Sequence, residues 1–353
     1  MVFECLGIFN LPLTLIEYNY LRSPLIFMKL TTKLFTLGLA LAPTAVFAGP
    51  AINGAGATFP APIYQRWFQD YAGATGERVN YQSVGSGAGI RQFVAGTVDF
   101  GASDEPIKAK EAAKVKRGVV QIPMVGGTIA IAYNKPGCKL KLTQKQVVDI
   151  FSGRIDDYKQ VGCAAGKMNV VHRSDGSGTT FAFTNSLDAF GGWSPGVGKS
   201  VNWPTGVGAK GNEGVSGTIK NTPGGIGYVN TGFVRANKLQ AAVIQNKAGK
   251  FVGPSAVTGA AALNSIVLDP VTLAGEDPNP SNPRAYPIST LTWIIAYKSG
   301  YAPGKAEAVR EAINYALSTK AQSIADDLGY VPLSGSVLHR ARMKVHQVGM
   351  GEN

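Results

Sequence analysis

Three short stretches, Gly54-Ala-Gly-Ala-Thr-Phe59, Gly85-Ser-Gly-Ala-Gly89 and Ser174-Asp-Gly-Ser-Gly-Thr179, restrict the fold more than anything else in this sequence. Each closes or follows a strand signal and precedes a helix signal. After the first, Pro60 and Pro62 hold helix-start positions, and Ile63, Trp67, Phe68 and Tyr71 recur at helical spacing. Residues 78–84 then read as a strand, 85–89 as a turn, 90–95 as a short helix and 98–102 as the next strand. Strand and helix signals that alternate in this way build parallel pairings covered by helices, so the fold class is α/β, with mixed, mainly parallel sheets and helices on both faces.

Two long apolar runs, 122–133 and 288–297, organise the rest. Between them lies a segment with its own strands and helices, including 143–151, 170–171, 179–190 and 225–229. After the second run, Ala306, Val309, Ile313 and Leu317 share one helical face, and a further short helix ends at Gly329. The chain, at 353 residues, is long enough for two domains. The economical arrangement is a discontinuous first lobe, 49–124 with 289–353, and an inserted second lobe, 125–288. The two apolar runs then cross between the lobes as a hinge.

The segment before Gly49 reads as a leader. From Met28, Lys29 and Lys33 precede an apolar run at 34–41, and Val46-Phe47-Ala48 forms a small-residue exit, which is the pattern of a cleaved secretory signal with the cut after Ala48. Residues 1–27 do not fit that scheme, since Glu4 and Glu17 interrupt them, and they read as an upstream extension with Met28 as the start. Export gives the cysteines meaning. Cys138 and Cys163 remain after the leader, an even pair in an exported chain, and predict a disulfide. His172, His339 and His346 lack metal-ligand spacing, so no metal and no cofactor is expected. The net charge of +12 comes from scattered lysines and arginines without interleaved aromatics, which argues against nucleic acid as a partner and for a general attraction to anions.

The three turns share one chemistry. Glycines and hydroxyl residues at a helix start leave free N–H groups, add O–H donors, and sit at the positive end of the helix dipole. Such a place suits an anion, and the crevice at the carboxyl ends of strands is where several of them converge. Arg173 opens the third turn and offers a bidentate fork to a tetrahedral oxyanion, with Asp175 close enough to hold its guanidinium. Asp104, at the end of Asp99-Phe-Gly-Ala-Ser-Asp104, faces an anion sensibly only if that anion carries a proton for the carboxylate to accept. Phosphate near neutral pH keeps a proton, and sulfate keeps none.

Gly54-Ala-Gly-Ala-Thr-Phe-Pro-Ala-Pro62, the Asp99–Asp104 run, Arg173-Ser-Asp-Gly-Ser-Gly-Thr179 and Gly224-Gly-Ile-Gly-Tyr-Val229 together resemble the phosphate-binding proteins of bacterial high-affinity phosphate ABC transporters. The resemblance runs in order from about Asn53 to Pro332. It implies a hinged, two-lobed periplasmic solute-binding fold, a monomer without catalysis, and delivery of inorganic phosphate to a membrane permease. By it, Thr58, Phe59, Ser86, Asp104, Arg173, Ser177, Gly178 and Thr179 contact phosphate, with Asp175 as the salt-link partner of Arg173. Two other readings compete: a binding protein for sulfate or molybdate, and a secreted phosphatase using Ser177 as nucleophile, for which the histidine supply is thin.

Overall fold

A computed structural model describes residues 51–351. The leader reading for residues 1–48, with its extension 1–27 and the new terminus at Gly49, lies outside the described residues. The chain opens with β1 (Ile52–Gly56), α1 (Ala61–Thr75), β2 (Val79–Ser83), α2 (Ser86–Ala95), β3 (Phe100–Ser103) and α3 (Ala109–Ala112), then enters the long β4 (Val119–Tyr133). Next come β5 (Lys141–Leu142), α4 (Gln144–Phe151), a 3-10 turn at Tyr158–Val161, β6 (Asn169–Arg173), α5 (Gly178–Phe190), β7 (Val207–Ala209), α6 (Gly211–Asn221), β8 (Gly225–Asn230) and α7 (Thr231–Asn237). The short β9 (Gln240–Ala241), β10 (Val243–Gln245) and β11 (Phe251–Val252) precede α8 (Ala256–Leu263) and the second long strand, β12 (Ser289–Tyr297). The described chain ends with α9 (Lys305–Ala316), α10 (Thr319–Ser323), a second 3-10 turn at Asp326–Leu328 and α11 (Gly335–Val345).

The main sheet runs β2-β1-β3-β12-β4-β8-β6-β7, with β9 also paired to β4. Its flanks are parallel, β1 with β2 and β3, and β6 with β7 and β8. Its middle is antiparallel, because β12 and β4 run against each other and against their outer neighbours. The main sheet is therefore mixed, with its parallel pairings gathered on the two flanks, and a separate three-stranded sheet, β11-β10-β5, pairs β10 parallel with β5. All of β4 beyond Val119 is buried, which is why its sequence is an apolar run without alternation. This strand pairs with β12 as far as Thr128↔Ser289 and passes to β8 at Ile129↔Asn230, directly after Gly126-Gly127.

Proline inside a central strand has no N–H to give the ladder. In β4 the register shifts where Pro123 lies: Thr292 pairs with Val125 and Trp293 with Pro123, so Met124 is the extra residue of a bulge. The helix after the second turn begins earlier than its apolar residues suggest, at Ser86 and not at Ile90, so Gly87, Ala88 and Gly89 form its first turn. Glycines are poor helix formers, which hides the start from sequence reasoning. Here α2 lies so close to β1 that a Cβ on Gly89 would fall on the backbone of Gly56.

On the side of β2, β1 and β3, α1 buries Ile63, Tyr64, Trp67, Phe68 and Tyr71, and the Trp67 indole N–H donates to the carbonyl of Ala321 at 2.7 Å, tying α1 to α10. α9 buries Val309, Ala312 and Ile313 on one face, as its spacing predicts. Cys138 and Cys163 form a disulfide with a Cα–Cα separation of 5.4 Å, closing the excursion that carries α4. Replacing both with serine is expected to lower unfolding free energy by about 2–4 kcal/mol in chemical denaturation, and an unchanged midpoint would show that the crosslink constrains nothing. Among the described residues, no helix is long and apolar enough to cross a membrane.

Candidate functional site

The carboxyl ends of β1, β3 and β6 place Thr58, Asp104 and Arg173 at the starts of helices or turns, and the second and third turns meet directly. The Gly87 N–H donates to the carbonyl of Gly176 at 2.8 Å. Gly85 has φ +90°, and a Cβ there would collide with the carboxylate of Asp175. A Cβ on Gly178 would lie 2.5 Å from Ser86 Oγ, so the start of α5 also needs its glycine.

The Ser86 hydroxyl oxygen is the pivot of this junction. It accepts the N–H of Gly178 at 3.1 Å and of Asp104 at 3.3 Å. Asp104 is almost wholly buried. Its two carboxyl oxygens accept the hydroxyls of Thr292 at 2.8 Å and Thr179 at 3.2 Å. Burial pushes this carboxyl up to about 7, against the opposing pull of the Thr292 hydroxyl, the Arg173 charge and the Thr179 hydroxyl.

Arg173 is buried too, and its guanidinium forms a fork with Asp175, Nε to Oδ1 at 2.7 Å and Nη2 to Oδ2 at 2.5 Å. The remaining Nη1 reaches Thr179 Oγ1 at 3.5 Å. Asp175 also accepts the Gly211 N–H at 2.9 Å. Burial pushes the Asp175 carboxyl up, but the Arg173 bonds and charge outweigh it and hold it below the usual carboxylate range.

Thr58, Ser86, Asp104, Arg173, Gly178 and Thr179 are thus joined in one buried hydrogen-bond network. Phe59 and Ser177 sit beside it, with side chains turned to the scaffold. The Phe59 ring packs edge-on against Tyr330, whose hydroxyl donates to the Phe59 carbonyl at 2.7 Å. The Ser177 hydroxyl caps α5 by accepting the Thr180 N–H at 2.9 Å. His172 stacks on Trp203 at 5.0 Å and bonds the carbonyl of its neighbour Arg173.

Several participants carry no local signal in the sequence. Asn212, at the start of α6, donates to both Thr58 and Thr179. Thr292 reaches Asp104 from β12, beside the bulge. The Tyr228 hydroxyl accepts the Arg173 N–H at 3.1 Å and shares a hydrogen bond with Thr180 at 2.6 Å. The Lys199 ammonium pairs with Glu105, next to Asp104, and lies 3.5 Å from Glu111. On the other side Ser83 donates to Glu213 at 2.8 Å. A helix-start signal of the Gly-Ser-Thr kind marks the three turns, whereas Gly211-Asn212 follows Lys210 and reads as an ordinary polar turn.

Comparison with known proteins fits this geometry. Residues 42–320 match a family described as a PBP superfamily domain. The phosphate-binding protein PstS of Pasteurella multocida is 40% identical over 308 residues, 82% of this chain and 88% of that protein. The chain belongs to the PstS family. Its spread within that family is wide, since PstS of Methanocaldococcus jannaschii is 33% identical over 338 residues, 85% of this chain and 86% of its own. The PstS fold is also that of the phosphate binding protein of Stenotrophomonas maltophilia, a crystal structure matched with a TM-score of 0.70 at 21% identity over 83% of this chain and 93% of that one. In this PstS relative the parallel flanks of the main sheet lie on either side of the antiparallel pair β12 and β4.

Proposed function

We propose that this chain binds inorganic phosphate in the periplasm, between two lobes, and delivers it to the membrane permease of an ABC transporter. The observation that carries the reading is the buried Asp104 carboxyl set among hydroxyl donors and within the charge of a buried Arg173. Such a site offers one acceptor among many donors, and hydrogen phosphate has one or two protons among many acceptor oxygens. The ligand contacts are Thr58, Phe59, Ser86, Asp104, Arg173, Ser177, Gly178 and Thr179, with Asp175 fixing the guanidinium.

The lobes are 49–124 with 289–353, and 125–288. Supporting this division, β4 changes partner from β12 to β8 just after Gly126-Gly127, where a backbone with few steric limits can absorb a rotation. Ser86–Gly178, Thr58–Asn212 and Lys199–Glu105 all join the two segments and belong to the closed arrangement.

The chain binds without turnover. A Ser177 nucleophile needs a base to take its hydroxyl proton; its oxygen caps α5, and His172, the histidine nearest in sequence, is engaged with Trp203 and the carbonyl of Arg173.

Titration calorimetry of the exported protein with phosphate, sulfate and molybdate is expected to show saturable binding of phosphate at least a thousandfold tighter than sulfate. Scattering at saturation is expected to show a smaller radius of gyration than the free protein. Equal affinity for the three anions would refute the ligand, and an unchanged radius would refute the hinge.

A further inference from the structure

Asn212 is fully buried at the second position of α6. Its side-chain oxygen accepts the backbone N–H of Asn230 at 2.9 Å. A backbone N–H can only donate, so this bond fixes which end of the amide is oxygen. The NH₂ end therefore faces Thr58 Oγ1 at 2.8 Å and Thr179 Oγ1 at 3.2 Å. The backbone N–H of Asn212 also donates to Thr58 Oγ1, at 3.0 Å. Lys210, the N-cap residue of α6, provides no side-chain cap, and the Thr58 hydroxyl takes that place from a distant part of the chain.

A hydroxyl oxygen has two acceptor lone pairs and one hydrogen. Thr58 Oγ1 already receives two N–H donors, so it has no capacity to accept a third. Its own hydrogen is left to donate. Ser86 repeats the arrangement with backbone donors, since its oxygen receives the N–H groups of Asp104 and Gly178. Thr179 Oγ1 receives Arg173 Nη1 and Asn212 Nδ2 and donates to Asp104.

From this we infer that Asn212 is a positioning residue for the anion: it saturates the acceptor side of the Thr58 hydroxyl, so that hydroxyl is a committed donor when the cleft closes. The inference rests on the phosphate reading above and adds a specificity rule to it. With Thr58, Ser86 and Thr179 all committed as donors, a ligand proton has Asp104 as its acceptor and no hydroxyl to compete for it. A ligand that turns an O–H toward Thr58 meets a donor and is rejected. The Thr179 hydrogen is already given to Asp104, whereas the Thr58 hydrogen is free for the ligand, so the effect of the amide is felt through Thr58.

A double-mutant cycle on the exported protein tests this, read by phosphate titration, with a thermal melt of each variant to confirm folding. Asn212→Leu and Asn212→Ala are each made alone and with Thr58→Val, which removes the hydroxyl and keeps the shape. Loss of a well-oriented donor to an anion is expected to weaken phosphate binding about tenfold in the wild-type background. In the Thr58→Val background the same substitution is expected to cost less than about threefold. A purely structural Asn212 would cost the same in both, and that result, or wild-type affinity in a folded single variant, overturns the inference. Either folded substitution decides. If the unaltered protein does not bind phosphate at all, the functional reading has failed first, and the inference falls with it.

Discussion

Arg173→Ala is expected to abolish phosphate binding at micromolar concentrations while leaving a folded but less stable protein. The guanidinium is buried and holds Asp175 through two hydrogen bonds, with the Asp175 side chain only 13% exposed. Removing it leaves a buried carboxylate with the Gly211 N–H as its remaining long-range partner. Breaking a buried pair by deleting one member costs about 3–5 kcal/mol, and the partial exposure of Asp175 places this case toward the lower end. Binding loses more. A charged donor to an anion contributes about 1.5–3 kcal/mol per hydrogen bond, so a fork of two corresponds to about 3–6 kcal/mol, a weakening of at least about a hundredfold. Arg173→Lys keeps the charge but not the planar fork, and is expected to bind phosphate between the two extremes. Titration within about tenfold of the wild-type affinity in a folded Arg173→Ala protein would falsify the assignment of Arg173 to the ligand.

Where the sequence was legible, the physics was local. Thr58, Ser86 and Ser177 lie in turns whose composition states their geometry, because only glycine tolerates the positive φ at Gly85 and the close approach at Gly178, and hydroxyl residues favour helix starts. Arg173 and Asp175 are two residues apart, so their pairing is a short-range inference that the 2.5 and 2.7 Å bonds bear out. The disulfide followed from export and an even count, and its cysteines meet. What remained hidden depends on long-range pairing. Thr292 reaches Asp104 only because β12 lies next to β3, and a threonine in a largely apolar strand carries no sign of this. Asn212 acts on a residue 154 positions away. The two-residue strands β5, β9 and β11 form wherever neighbours offer a ladder, and no periodicity exists over such a length.

Asp104 was legible as an oddity, a carboxylate in an anion site, but its pKa depends on burial. If the site takes phosphate as proposed, that burial is expected to make its selectivity a function of pH. With the carboxyl pushed up to about 7, the ionised form dominates above that value and, on the proposed phosphate reading, is the form expected to accept the proton of hydrogen phosphate. A sulfate dianion in the same place faces a fixed charge. At ~4 Å and an effective dielectric near 20 the repulsion is about 4 kcal/mol, and the lost hydrogen bond adds about 1–3 kcal/mol, which together exceed a thousandfold. Below about 7 the protonated carboxyl becomes a donor, the repulsion goes, and sulfate is expected to bind progressively better relative to phosphate.

Asp104→Asn fixes the site in the uncharged condition at every pH. Its amide keeps the shape and can turn an N–H toward a bare oxygen, so at pH 8 the ratio of sulfate to phosphate affinity is expected to rise at least about tenfold over wild type, and to vary as the pH falls only through the protonation of phosphate itself. Stability moves with the same proton. The folded carboxyl sits above its ordinary value of 3.8, so the folded protein holds this proton more tightly than the unfolded chain. The corresponding stability is fully present below about pH 4 and is lost as the pH rises through about 7. The interval from 3.8 to about 7 corresponds to about 4 kcal/mol as an order of magnitude. In the free protein at pH 8, Asp104→Asn is therefore expected to unfold at a higher denaturant concentration than wild type, with the difference shrinking toward zero at pH 4. A pH-independent sulfate-to-phosphate ratio in the wild type, together with no gain of stability in Asp104→Asn at pH 8, would mean that Asp104 is ionised throughout and is held there by its hydroxyl partners as a structural cap, not as the acceptor that selects a protonated anion.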